Sequence, residues 1–125
     1  MSQEAIAIIG ASSRREKFAN KAVRAFTEEG YTVYAVHPKE TEVEGLPVYR
    51  SVADIPGDVQ IANLYVGPAI GEAALEGIKA KGIRTVFVNP GAGSPELLAK
   101  GRELGLEMRD ECSILAIGRS PAEFA

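Results

Sequence analysis

Apolar residues along the 125-residue chain fall alternately into short continuous runs and into stripes at helical spacing. Ala5 to Ile9 is unbroken by polar residues and stops at Gly10, the pattern of a parallel strand covered on both faces. From Phe18 to Glu29 the positions Phe18, Ala22, Val23, Ala25 and Phe26 predict a helix, with Gly30 placed to end it. Thr32 to Val36 predicts a second strand, closed by Pro38, whose nitrogen cannot donate to a ladder. The polar, acidic stretch Lys39 to Gly45 predicts a surface loop, and Ser51 to Asp54 has the spacing of a capping box for one helical turn. Val59 to Val66 reads as a third strand, and Ile70, Ala73, Ala74, Leu75 and Ile78 carry a helix to Lys81 and Gly82. Thr85 to Val88 is a fourth strand. Ser94 and Pro95 occupy cap and first-turn positions of a helix with Leu97, Leu98 and Leu104 on its apolar side, and Leu106 to Arg109 is a last strand. The tail Ser120 to Ala125 reads as frayed.

Alternation of this kind demands parallel pairing, because each crossover returns the chain to the same end of the sheet. The expected architecture is α/β: a single Rossmann-type, doubly wound parallel sheet of about five strands flanked by helices, one domain over residues 1–125. No internal repeat or linker divides it.

Composition narrows the function classes. The chain is 46% hydrophobic and 25% charged, as ordinary globular proteins are. A net charge of −3 counts against tracking a nucleic-acid backbone. A single cysteine precludes an intramolecular disulfide, and the opening residues lack the order of a signal peptide, so a reducing cytoplasm is expected. No apolar run approaches the ~20 residues that span a bilayer, and no membrane association is expected.

In an open parallel sheet, ligands bind beyond the carboxyl ends of the strands. The loops there are Gly10 to Arg15, Val36 to Lys39, Val66 to Pro68 and Asn89 to Gly93. The first turns at Gly10 into a helix, where backbone N–H groups and the helix dipole can meet a pyrophosphate and Ser12 and Ser13 can add hydroxyls. It keeps only the first glycine of G-x-G-x-x-G, so a plain strand-to-helix turn with solvated arginines competes evenly with phosphate binding. NAD proteins place a carboxylate at the tip of the second strand, whereas this one ends in Val36, His37, Pro38 and Lys39. Lys39 with Arg14, Arg15 and Lys17 makes a cationic edge suited to a nucleotide with an extra ribose phosphate, NADP or coenzyme A. The plainer alternative is that Lys39 pairs with Glu40 or Glu42.

The segments Ile8 to Ser12, Val36 to Lys39, Gly45 to Tyr49, Tyr65 to Pro68, Asn89 to Ala92 and Asp110 to Cys112, in that order, resemble the small coenzyme-A-binding domain proteins related to the amino-terminal domain of the succinyl-CoA synthetase α subunit. The resemblance covers nearly the whole chain. It implies that the first loop, at Ser12, Ser13 and Arg14, holds the pyrophosphate, with Gly10, Ala11 and Lys17 as further cofactor-binding candidates beside it, and that Lys39 meets the phosphorylated ribose. It implies too that Val36 and Pro38 shape the adenine pocket, with His37 either structural or in contact with the adenine, and that Tyr65, Val66 and Gly67 line the path of nucleotide and pantetheine, stiffened by Pro68. The synthetase also needs a second domain with a phosphorylated histidine; His37 does not match it, and its ligase activity is not expected here.

Cys112 is expected at the same rim, where a mixed disulfide with the pantetheine thiol competes with simple packing. Asn89 opens a second glycine loop onto a helix start, suited to an anion such as an acyl carboxylate, although capping by Ser94 and Pro95 explains that start equally. One histidine allows no Ser-His-Asp set, and no His, Cys, Asp and Glu cluster has metal-ligand spacing, so neither catalytic residues nor a metal are expected. The expected function is binding of coenzyme A or an acyl-CoA, as carrier, sensor or partner subunit, with a homodimer as one assembly. The alternative is an NADP-dependent or acyl-CoA-processing enzyme.

Overall fold

The computed structural model describes residues 4–125. Its strands are β1 Ala5–Ile9, β2 Thr32–Val36, β3 Glu42–Val43, β4 Leu46–Tyr49, β5 Ile61–Leu64, β6 Thr85–Val88 and β7 Glu107–Arg109. Its helices are α1 Phe18–Glu28, α2 Pro68–Lys81, α3 Pro95–Glu103 and α4 Ser113–Ala116, with 3-10 turns at Val52–Asp54 and Pro121–Phe124. The strands form one sheet in the order β3-β4-β2-β1-β5-β6-β7, parallel throughout except where β3 runs antiparallel to β4.

Because side chains alternate across a strand, β1 feeds both layers. Ile6 and Ile8 pack on one face with Ala22, Val23, Phe26 and Ile114, while Ala7 and Ile9 pack on the other with Leu64, Leu75, Ile78, Val86 and Leu97. This two-sided burial is why the run Ala5 to Ile9 contains no polar residue. Each fully buried Ile, Leu or Phe of this kind contributes about 1.5–3 kcal/mol. The chain runs from β1 to β2 on one side, then crosses back to β5 on the other, so the strand order reverses at β1. Among the described residues no helix is long and apolar enough to cross a membrane.

The expected α/β class and the positions of β1, β2, β6, α1, α2 and α3 agree with the structure, with small shifts at element ends. Three expectations need correction. The sheet has seven strands instead of about five, because Lys39 to Gly45 is not all loop: Glu42 and Val43 pair with Pro47 and Leu46 across a hairpin. That hairpin turns at Glu44 and Gly45, with φ of 50° and 80°, the left-handed pair that matches strand twist. The turn at Val52–Asp54 forms without a side-chain cap from Ser51. The tail is not frayed: Phe124 is buried, its carbonyl accepts from Arg24 at 2.8 Å, and Ser120 and Glu123 close a capping box. Phe18 and Ile70, part of the helical stripes that mark α1 and α2, stand 58% and 63% exposed.

Candidate functional site

A cleft of about 800 Å³ opens beyond the carboxyl ends of β1, β2, β4 and β5, where the strand order reverses and open α/β sheets bind ligands. Its floor is Ile9, Gly10 and Ser12 after β1, with Val36, His37 and Pro38 after β2. Lys17, Phe18 and Ala19 at the start of α1 form one end, and Tyr65 and Val66 follow from β5. Arg50, Ser51, Val52 and Ala53 after β4 face Ile70, Ala73, Ala74 and Gly77 of α2 across the remainder.

Gly10 makes close approach possible. It has φ of 93°, and a Cβ there would stand 2.6 Å from the Tyr65 carbonyl oxygen, so only glycine lets β1 turn away beside β5. Its amide and that of Ala11 donate to the Val36 carbonyl at 2.9 and 3.2 Å, locking this turn to the tip of β2. Asn20, fully buried on α1, donates to the Ser12 carbonyl at 2.9 Å and holds the loop from beneath. α1 itself begins without a side-chain cap at Lys17, leaving the first amides of a helix start, with its partial positive charge, unclaimed by a capping side chain.

The charge on the cleft wall is one-sided. Among the described residues no Asp or Glu lines it, although the chain holds 17 acidic against 14 basic residues, and Lys17 and Arg50 do line it. Of the four cations expected to converge on this edge, only Lys17 reaches the wall. Arg14 pairs with Glu16 at 2.8 Å and Arg15 with Glu44 at 3.4 Å. Lys39 is exposed and off the wall. The Ser13 amide and hydroxyl both donate to the Glu40 carboxylate, at 2.9 and 3.0 Å, and this bonding, the amide first, holds the Glu40 carboxyl below its ordinary value.

Behind Tyr65 lies a buried polar network. The Ser113 amide donates to Asn89 Oδ1 at 2.9 Å, and Asn89 Nδ2 donates to the Leu64 carbonyl at 2.9 Å and to Asn63 Oδ1. Asn63 Nδ2 donates in turn to Ser113 Oγ at 2.7 Å, which lies 3.3 Å from the Tyr65 hydroxyl. Burial above all pushes the Tyr65 phenol up to about 12, so it is neutral at physiological pH.

The structure thus brings Gly10, Ser12, Lys17, Val36, His37, Pro38, Tyr65 and Val66 together on one wall. Ala11 is buried beneath it, and Ser13, Arg14, Lys39, Gly67 and Pro68 lie outside it. Asn89 is 2% exposed and committed to the network, and Cys112 is a half-buried free thiol packed against the core. Sequence reading missed Arg50, Ser51, Val52, Ala53, Gly77 and Asn20. Asn20 carried a signal, a polar residue on the apolar stripe of α1; Arg50 carried none, since it follows a strand that was not foreseen.

A second hollow of about 530 Å³ lies at the start of α3, lined by Gly91, Gly93, Ser94, Pro95, Leu98, Ala99, Arg102 and Asp110. There the Ser94 hydroxyl accepts from the Leu97 amide at 3.1 Å and caps the helix.

Residues 4–118 match the family model described as a CoA binding domain. The chain is 34% identical over 103 residues to the ADP-forming acetate–CoA ligase I of Archaeoglobus fulgidus, covering 82% of this chain and 15% of that protein. It is 34% identical over 84 residues to the α subunit of the ADP-forming acetate–CoA ligase II of Pyrococcus furiosus, covering 66% and 18% respectively. Among solved structures, a hypothetical protein from Pyrococcus horikoshii superposes with a TM-score of 0.86 at 33% identity, covering 90% of this chain and 80% of that one. The chain therefore spans less than a quarter of these curated relatives.

Proposed function

The chain belongs to the CoA binding domain family, and from that premise we propose that its cleft binds coenzyme A or an acyl-CoA, the domain serving as the CoA-holding partner of an acyl-CoA-forming enzyme. The observation that carries this reading is the acid-free cleft wall with Lys17 and Arg50 on it in a net acidic chain. Such a wall favours a ligand with several phosphates, because each carboxylate left out removes a repulsion in a partly desolvated space. The uncapped start of α1, with Ser12 and Lys17, suits the pyrophosphate. Val36, Val52, Val66 and Ala74 offer an apolar slot of the kind that takes adenine. At the tip of β2 there is no carboxylate on the cleft wall to accept ribose hydroxyls, which counts against NAD.

The role as partner is supported by the kind of relatives matched, ligases and a ligase subunit. Coenzyme A would supply its thiol to an acyl group; this chain's own residues bind and orient the nucleotide end. The test is thermal denaturation with coenzyme A, acetyl-CoA, NAD, NADP and ATP at equal concentration. A ligand at 100 times its dissociation constant adds about 2.7 kcal/mol, and coenzyme A and acetyl-CoA are expected to give the largest shifts. A shift with NADP alone would overturn the reading.

A further inference from the structure

We infer that Arg50, and not Lys39, reads the ribose phosphate of the bound nucleotide and so sets the preference for coenzyme A over its dephospho form. The inference rests on the coenzyme A reading above. Ala35 and Val36 of β2 lie beside Val48 and Tyr49 of β4, and the His37 amide donates to the Tyr49 carbonyl at 2.9 Å. Arg50 is therefore held level with His37 at the very tip of β2, where the adenine-side ribose rests in folds of this class.

The chain after His37 turns away from that point. His37 Nδ1 accepts from the amides of Lys39 and Glu40, at 3.0 and 3.1 Å. This reversal delivers Glu40 to Ser13 and leaves Lys39 exposed and off the cleft wall. Arg50 is on that wall, is exposed, and has no ion-pair partner among the described residues. Coenzyme A carries two separate anionic centres, and the cleft presents two separate cations. Lys17 stands at the helix start suited to the pyrophosphate, and Arg50 comes from the opposite side of the β2 tip. A guanidinium can form two parallel hydrogen bonds with one phosphate, a geometry an ammonium lacks.

The experiment is calorimetric titration of the wild-type chain, Arg50→Gln and Lys39→Gln with coenzyme A and with dephospho-coenzyme A. Both substitutions replace exposed side chains, and circular dichroism melts identify any unfolded variant. Arg50→Gln is expected to weaken coenzyme A by about tenfold to a hundredfold while changing dephospho-coenzyme A by less than about threefold. Lys39→Gln is expected to change both by less than about threefold. Equal losses for the two ligands in Arg50→Gln, or loss of discrimination in Lys39→Gln, would overturn the assignment while leaving coenzyme A binding intact. Failure of the wild-type chain to bind either ligand would remove the coenzyme A reading and this assignment with it.

Discussion

Two glycine-bearing loops leave the same edge of the sheet and run into helices, Gly10 to Lys17 into α1 and Asn89 to Ser94 into α3. Each meets the general requirement for an anion site. They are finished differently. Ser94 caps α3 with its own hydroxyl, and Asn89 spends its side chain on Leu64, Asn63 and Ser113, so the second loop is satisfied from within. α1 starts with no such cap, and its first residues border the large cleft. The hollow at α3 includes Asp110, whereas the cleft at α1 includes no acid among the described residues. The α1 start differs from the α3 start in lacking a side-chain cap and in facing a cleft with no acid among its described lining residues, although Glu40 takes the Ser13 amide of the loop before it.

The contrast can be broken most severely at Asn89. Asn89→Ala strands the Ser113 amide, the Leu64 carbonyl and Asn63 in the interior, and a loss of about 3 kcal/mol in urea unfolding is expected; a loss below about 1 kcal/mol would contradict a structural role. On the ligand side, Gly10→Ala forces a Cβ against the Tyr65 carbonyl at positive φ. It should cost about 2 kcal/mol in the same assay and weaken coenzyme A as well. Lys17→Gln should weaken coenzyme A about tenfold with its melting temperature unmoved, and an unchanged dissociation constant would exclude Lys17 from the pyrophosphate site. Ser94→Ala is the mirror image: about 1 kcal/mol of stability lost and ligand affinity unchanged by titration. The smallest effect is at Glu40, whose carboxylate occupies the Ser13 amide and hydroxyl beside the first loop. Glu40→Gln should tighten coenzyme A about twofold by removing a nearby negative charge, and weaker binding would mean that the Glu40 contact supports the loop.

What can be read without coordinates is what depends on near neighbours in the chain. The apolar run before Gly10, the stripes of α1 and α2, and the Ser94 and Pro95 cap are each decided within a few residues, because helix and strand periods and capping are local. They suffice for an α/β domain with a cleft at the strand ends that carries Gly10, Val36 and Tyr65. Which charges survive at that edge is a different matter. Arg15 is taken by Glu44, 29 positions away, Arg50 arrives through the pairing of β4 with β2, and Asn63, Asn89 and Ser113 meet only when β5, β6 and α4 assemble. Electrostatic and hydrogen-bonding partnerships follow distance in space, and that distance exists only once the sheet has closed its register.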